Sequence, residues 1–417
     1  MKRIFAITPL LPLLSGWVAP CLAAEGVATP AVIEAARFAS LQAAFNAVPT
    51  NGGVVLLPPG EFVLSNSLVL TVGDTRVEGA GPSTHLINRN TNGKPALIIR
   101  PRDIEKNPRA KLWRVQLGNF RISGNTNSGD GLFALGINEL FVHGLSIDHN
   151  GGHGIYLRNC TEDPRVANSI ITYNARAGLN IFASHDIVVN ANQFEENLDA
   201  VRCIDSYNLC MNSNDVDDHL RHGVVIENTY GSVLSGNMIE ECNGIAVLLD
   251  RDCYGITVSA NVIADHLGGG VHLLDTWGCA ISANTFVLVH SNSVLVSSNS
   301  GRLTITGNNF CNSYIGGGKD KRKTKIGQPI GFDEATGIGL QSTGDIVISG
   351  NQFSGLSGQA VLAEGSCERI VVTGNIVTDY GRRLEKSMPA IDLGKASASI
   401  AKDNVVGVAR RLQELKQ

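Results

Sequence analysis

One phrase recurs along the chain and leaves few folds open to it: an apolar residue, two spacers, an asparagine, one residue, a large apolar residue, then a glycine-led apolar run. Its asparagines are Asn168, Asn192, Asn214, Asn237, Asn261, Asn284, Asn308, Asn351, Asn375 and Asn404, most of them 22 to 24 residues apart. Earlier units fit at Asn119 and Leu145. Two places after the asparagine stand Ile170, Phe194, Val216, Ile239, Ile263, Phe286, Phe310, Phe353 and Val377. Three places before it stand Val189, Met211, Leu234, Val258, Ile281, Ile305, Ile348 and Val372. A single unit cannot bury these side chains, whereas a stack of units turns each position into a column of a parallel sheet, with neighbours about 4.8 Å apart. The columns predict an all-β chain: a single-stranded right-handed parallel β-helix of about twelve coils, with the asparagines as a structural ladder. A second punctuation, at Gly154-Ile155, Gly178-Leu179, Gly223-Val224, Gly244-Ile245, Gly270-Val271 and Gly337-Ile338, is read as the turn into the next strand.

Composition agrees, since 46 glycines in 417 residues and 6% aromatics suit short strands and tight turns. A net charge of −4 gives no case for a nucleic-acid partner. Met1-Lys2-Arg3, the apolar stretch 4–19 and Leu22-Ala23-Ala24 read as a signal peptide over 1–24, so a secreted or periplasmic location is expected. Cys21 beside that site raises a lipoprotein reading, which Pro20 argues against. No later stretch reaches the roughly 18 apolar residues of a membrane span, and no membrane partner is expected. Eight of the nine cysteines follow residue 24, so disulfides stand beside a core-stacking role for Cys203 and Cys242.

Residues 39–48 read as an amphipathic helix, followed by Gly52-Gly53-Val54-Val55-Leu56-Leu57-Pro58-Pro59-Gly60-Glu61-Phe62 and Val77-Glu78-Gly79-Ala80-Gly81. This order resembles the N-terminal region of the pectate-lyase superfamily, the rhamnogalacturonase and epimerase-like β-helix group that includes phage tailspikes. With the repeats it implies an N-terminal cap and first coils over 25–100 with a capping helix and a β-helix over 101–400, and at the other end residues 405–417 read as a short polar-faced helix closing the stack within a C-terminal cap over 401–417. The resemblance further implies a polysaccharide partner and, from the tailspikes, assembly into a homotrimer. It says less of the reaction, because that superfamily holds hydrolases, lyases, epimerases and non-catalytic fibres. One repeat, Asn237-Met238-Ile239-Glu240-Glu241-Cys242, also resembles the inulin fructotransferase group.

Chemistry is sought in columns the repeat itself does not need. The third place after the asparagine carries Glu195, Asp217 and Glu240, and the fourth carries Glu196, Asp218, Glu241 and Asp265. Like charges about 5 Å apart repel by roughly 3 kcal/mol per neighbour at an effective dielectric near 20, before screening. A solvated turn tolerates that cost; the functional alternative is a proton-sharing pair or a metal site. Asp218-His219-Leu220 and Asp265-His266-Leu267 are one phrase two coils apart, with Arg202, Arg221 and His222 in segments that intervene between the acidic turns and His149 and His153 on an earlier coil. His272 should point outward between Val271 and Leu273. The expected catalytic residues are Asp218, Glu241, Asp265, His219, His266 and Arg221. Arg202, His272, Trp277 and Glu196 are expected to bind substrate, and Asp217 and Glu240 to hold a metal, calcium being the ion a lyase of this kind would use.

Carboxyl groups on adjacent coils would stand about 5 to 5.5 Å apart, as in retaining glycosidases, and those on alternate coils about 6.5 to 9.5 Å, as in inverting ones. Elimination instead needs a base and positive charge or calcium. With no lysine between Lys111 and Lys319, arginine or histidine would have to serve. The acid-rich columns lean the reading to glycoside hydrolysis or transglycosylation, over a calcium-dependent lyase of uronic-acid polymers and over a non-catalytic glycan-binding rod. Residues 316–325, rich in glycine and lysine, read as a surface loop or a basic arm.

Overall fold

A computed structural model of the chain describes residues 31–311, 335–382 and 388–407. Its short strands form three parallel sheets of 17, 14 and 13 strands. Each coil contributes to the first, second and third sheet in turn, as in Tyr207–Asn212, Asp215–Asp217 and Val224–Glu227. The solenoid has about fourteen turns, slightly more than the twelve expected.

Both predicted inward columns are in register. Val189, Met211, Leu234, Val258 and Ile281 pair along the first sheet, and Phe194, Val216, Ile239, Ile263 and Phe286 along the second. All are fully buried. Phe286, Phe310 and Phe353 stack with ring centroids 4.7 and 4.6 Å apart. Between these columns runs the ladder: Asn261, for example, sends its side-chain Nδ2 and its backbone N–H to Oδ1 of Asn284, at 3.0 Å each, and Nδ2 also reaches the carbonyl of Leu234. The ladder runs from Asn192 to Asn404.

Two ladder assignments shift by one residue. Asn168 and Asn119 lie in left-handed turns (φ 50° and 57°), a conformation asparagine tolerates better than most. Ser169 fills the slot, donating its N–H to Asn192, and Ile171 rather than Ile170 faces inward; Ile170 is 49% exposed. The strand-opening glycines also serve a different purpose from the turn expected of them. Gly154 has ordinary φ, but a Cβ there would lie 2.6 Å from the carbonyl oxygen of Gly178 on the next coil. Gly244 is outside that column, since Val224 pairs with Val247 and so Ala246 faces Gly223.

The capping helix is present as Leu41–Asn46, with Ser40 Oγ accepting the Ala43 N–H. It buries Leu41, Ala44 and Phe45, and Gln42 satisfies both backbone groups of Val69 at the open edge of the third sheet. At the far end Ile400–Lys402 and Val405–Gly407 are strands that continue the first and second sheets, not the start of a helix. The expected signal peptide with Cys21, the 316–325 loop and the remainder of the C-terminal cap lie outside the described residues. All eight cysteines from Cys160 to Cys367 are free thiols, and Cys203 and Cys242 pack in the core. Among the described residues no helix is long and apolar enough to cross a membrane.

Candidate functional site

The turn from the second to the third sheet carries most of the candidate residues. Its first position is left-handed on successive coils, at His149, Tyr173, Glu196, Asp218, Glu241, Asp265 and Leu288. The turn thus demands a backbone conformation on every coil and carries a carboxylate on only some. The next position points inward: Asn150, Asn174 and Asn197 form a second amide ladder, and the Asn197 N–H meets Nδ1 of His219 at 3.2 Å. His219, Cys242 and His266 follow, each fully buried. Nε2 of His266 donates to the carbonyl of Ile239 at 3.0 Å, and burial lowers its pKa to about 4. The expectation that His219 and His266 are catalytic is therefore corrected: both are internal rungs shut away from solvent.

The acidic columns stack as expected, with Glu195, Asp217 and Glu240 in register. Asp265 is 6% exposed, and burial, followed by the charge of Glu240, raises its carboxyl to about 6. Among the described residues no group of three or more His, Cys, Asp or Glu side chains is gathered so as to hold a metal ion. Asp217 and Glu240 stand in register on adjacent coils of the second sheet.

Just before the third sheet, backbone hydrogen bonds align Asp130, His153, Ala177, Asp199, His222 and Ile245 on successive coils. Twice in this column an aspartate precedes a histidine 23 residues on. Asp130 Oδ1 accepts the His153 N–H at 2.7 Å and His153 Nδ1 accepts the Ala177 N–H at 3.2 Å. Asp199 Oδ1 accepts the His222 N–H at 3.1 Å and His222 Nδ1 accepts the Ile245 N–H at 3.0 Å. With Nδ1 used as an acceptor, each neutral ring carries its proton on Nε2 and presents a donor there. Burial first, then Arg176 and Arg202, lowers His153 to about 4. Burial first, then Arg221 and Arg202 against the opposing charge of Asp199, lowers His222.

Asp199 is the anchor of this site. Its side chain is 1% exposed, yet Arg221 bonds both carboxylate oxygens and Arg202 Nη1 reaches Oδ2 at 3.3 Å. Burial opposes its ionisation, but Arg221, the His222 N–H and Arg202 outweigh that and hold the carboxyl below its ordinary range. Arg202 Nη2 continues to Glu227 at 2.9 Å, which also binds Arg251 at 2.8 Å. Arg202 stands in the outward column of the third sheet, with Tyr156, Asn180, Val225, Leu248 and His272. His272 is outward as expected but only 8% exposed, and burial, then His222, lowers it to about 4.

Of the expected residues, Arg202 and Arg221 thus come together on Asp199, and His272 stands in the outward column of the third sheet three coils from Arg202. Glu196, Asp218, Glu241, Asp265, Asp217 and Glu240 stand at the start of the turns that lead to that sheet. Trp277 does not join them. It lies in the first sheet, in register with Tyr254 and with Arg302 5.9 Å over its ring, at the end of a stack of His185, Tyr207, Tyr230 and Tyr254. Sequence reasoning missed Asp199, Asp130 and Tyr156; for the two aspartates the repeated 23-residue step to a histidine was the available signal.

Comparison with known proteins follows the fold. The family model described as periplasmic copper-binding protein (NosD) matches residues 165–326 and 278–406, together more than half of the chain. The right handed beta helix region model matches 62–219. No curated protein matches the sequence. Among solved structures, the A-module of mannuronan C-5 epimerase AlgE4 from Azotobacter vinelandii is 15% identical with TM-score 0.57, covering 88% of this chain and 94% of that one. The pre-mature gene product 12 of bacteriophage phi29 is 12% identical with TM-score 0.67, covering 85% of this chain but only 53% of its own. A double mutant of the periplasmic alginate epimerase AlgG is 11% identical with TM-score 0.52, covering 91% and 84%. At such identities the likeness is one of fold.

Proposed function

Because the chain belongs to the NosD family of repeats, within the right-handed parallel β-helix proteins of the pectate-lyase-like superfamily, we propose that it is an exported protein that acts on an acidic polysaccharide lying along the outward face of its third sheet. Arg202, Arg221 and His222, held in place by Asp199, receive a sugar carboxylate there. The observation that carries this reading is the clamp on buried Asp199. It fixes the half-exposed Arg221 with two of the five N–H donors of a guanidinium, so the others are held in place for a second anion.

The proton beside that carboxylate passes to a base, the role this reading gives to the neutral ring of His272 in the outward column, and its loss pushes negative charge onto the carboxylate oxygens. Preorganised guanidinium and neutral imidazole donors stabilise that charge without reorganising. The face therefore suits epimerisation or elimination on uronic acids better than the hydrolysis that the acidic columns suggest. Two fold neighbours, a mannuronan C-5 epimerase and a periplasmic alginate epimerase, support the substrate class and an extracytoplasmic location. A second reading, hydrolysis or transglycosylation from the acidic columns, draws on Asp265, whose raised carboxyl beside Glu240 is a proton donor near neutral pH.

The test is a screen of the purified protein on plant, algal and bacterial polysaccharides, following unsaturated uronates, reducing ends and C5 configuration by NMR. Unsaturation or C5 inversion is expected, reduced about 100-fold or more by Arg221→Ala and little changed by Asp265→Asn. New reducing ends without unsaturation, lost in Asp265→Asn, would transfer the function to the acidic columns. Binding without turnover would make the protein a glycan-binding rod.

A further inference from the structure

We infer that Asp130, His153, Phe133 and Tyr156 form a second sugar-binding subsite, three coils before Asp199, which holds the ring of another unit of the same polysaccharide. The inference rests on the reading that a glycan lies along this face, and it adds a minimum length to that glycan.

Asp130 and His153 repeat the Asp199–His222 arrangement bond for bond, each aspartate accepting the histidine N–H and each histidine Nδ1 accepting the next coil's N–H. Both pairs present an Nε2–H donor from the same column. What surrounds them differs. Asp199 is clamped by Arg221 and Arg202. Asp130 makes no ion pair among the described residues, and Arg176 acts on it only at a distance, behind its burial and its bond to the His153 N–H. Beside it the outward column turns aromatic: Phe133 and Tyr156 are in register, with centroids 5.2 Å apart, and His153 lies 5.4 Å from Tyr156. All three rings are partly exposed.

An apolar ring face edged by hydroxyl-seeking groups fits the apolar face and hydroxyls of a pyranose, whereas the Asp199 end fits a carboxylate. Three coils span about 14 Å. A sugar in an extended polysaccharide advances by about one coil, so the two sites meet units i and i+3 of one chain running parallel to the helix axis. Oligosaccharides of two or three units cannot reach both subsites, and those of four units can.

Calorimetric titration of the full chain with mannuronate and galacturonate oligomers of two to six units tests this. The expected wild-type result is a step of about tenfold in affinity between three and four units. Tyr156→Ala should abolish the step and leave dimer and trimer binding unchanged. Tyr156→Leu, which keeps the bulk of the site, should do the same and guards against a folding defect. A step that survives both variants, or an equal loss for dimer and tetramer, overturns the subsite while leaving the Asp199 reading in place. If no oligomer of any length binds and Arg221→Ala changes nothing, the Asp199 reading falls and the subsite with it.

Discussion

Asp130 and Asp199 occupy one slot of the coil and accept the same backbone N–H, yet their acidities are driven apart. Burial, against the His153 N–H and the distant Arg176, raises Asp130 to about 6, while the arginine clamp overcomes burial at Asp199 and lowers it. Divergent acidities at equivalent positions separate a group that can exchange protons near neutrality from one that stays charged. His266 shows the same physics turned to stability. Its ring is neutral in the fold, with a pKa of about 4 against 6.5 for an unconstrained histidine. Between those values the unfolded chain binds the proton that the folded chain refuses, so the contribution is whole above pH 6.5 and is lost as pH falls toward 4. His266→Gln, which keeps a donor and removes the titration, should lose about 2 kcal/mol less than wild type between pH 7 and pH 5 in urea unfolding. Identical pH profiles for the two proteins would mean the ring is not held neutral.

At the scale of strands and turns, the stability of each coil lies in contacts with its neighbours. Asn261→Ala would remove four hydrogen bonds inside the stack and strand the carbonyl of Leu234 and the backbone N–H of Asn237. A loss of about 3 kcal/mol or more is expected. Asn404→Ala, at the half-exposed end of the ladder, should cost about 1 kcal/mol, and comparable losses in chemical denaturation would contradict a stack whose ends are looser than its middle. The ladder was legible because its slot takes asparagine on most coils and its inward neighbours recur at fixed offsets. Asn168 and Asn119 misled because asparagine is also favoured in the left-handed turn beside that slot. His219 and His266 misled because the inward direction of their position emerges only once Asn150, Asn174, Asn197 and Cys242 are aligned with them. Asp199 was announced only by the 23-residue step to His222 that Asp130 and His153 repeat, and only the stacking of its coil against the next puts Arg221 on its carboxylate.

For the whole molecule, a solenoid in which coils touch only their neighbours should open from a weak end before it melts throughout. The N-terminal end is covered by the Leu41–Asn46 helix and by Gln42 on Val69. At the other end every residue of Ile400–Lys402 and Val405–Gly407 is exposed. The cysteines can report the difference, because Cys160, Cys203, Cys242, Cys253, Cys279 and Cys367 are buried along the stack. In mild denaturant a thiol reagent should modify Cys367 first and Cys203 and Cys242 last, the order being read by mass spectrometry of proteolytic fragments. Cys367 lies on the coil whose edge pairs with the last first-sheet strand, through the N–H of Ser397 on the carbonyl of Cys367. Asn404→Ala should therefore speed labelling of Cys367 and leave Cys242 unchanged. If all six thiols instead react at one rate, and that rate follows global unfolding, the coils melt as a single cooperative unit and the exposed end is no point of entry.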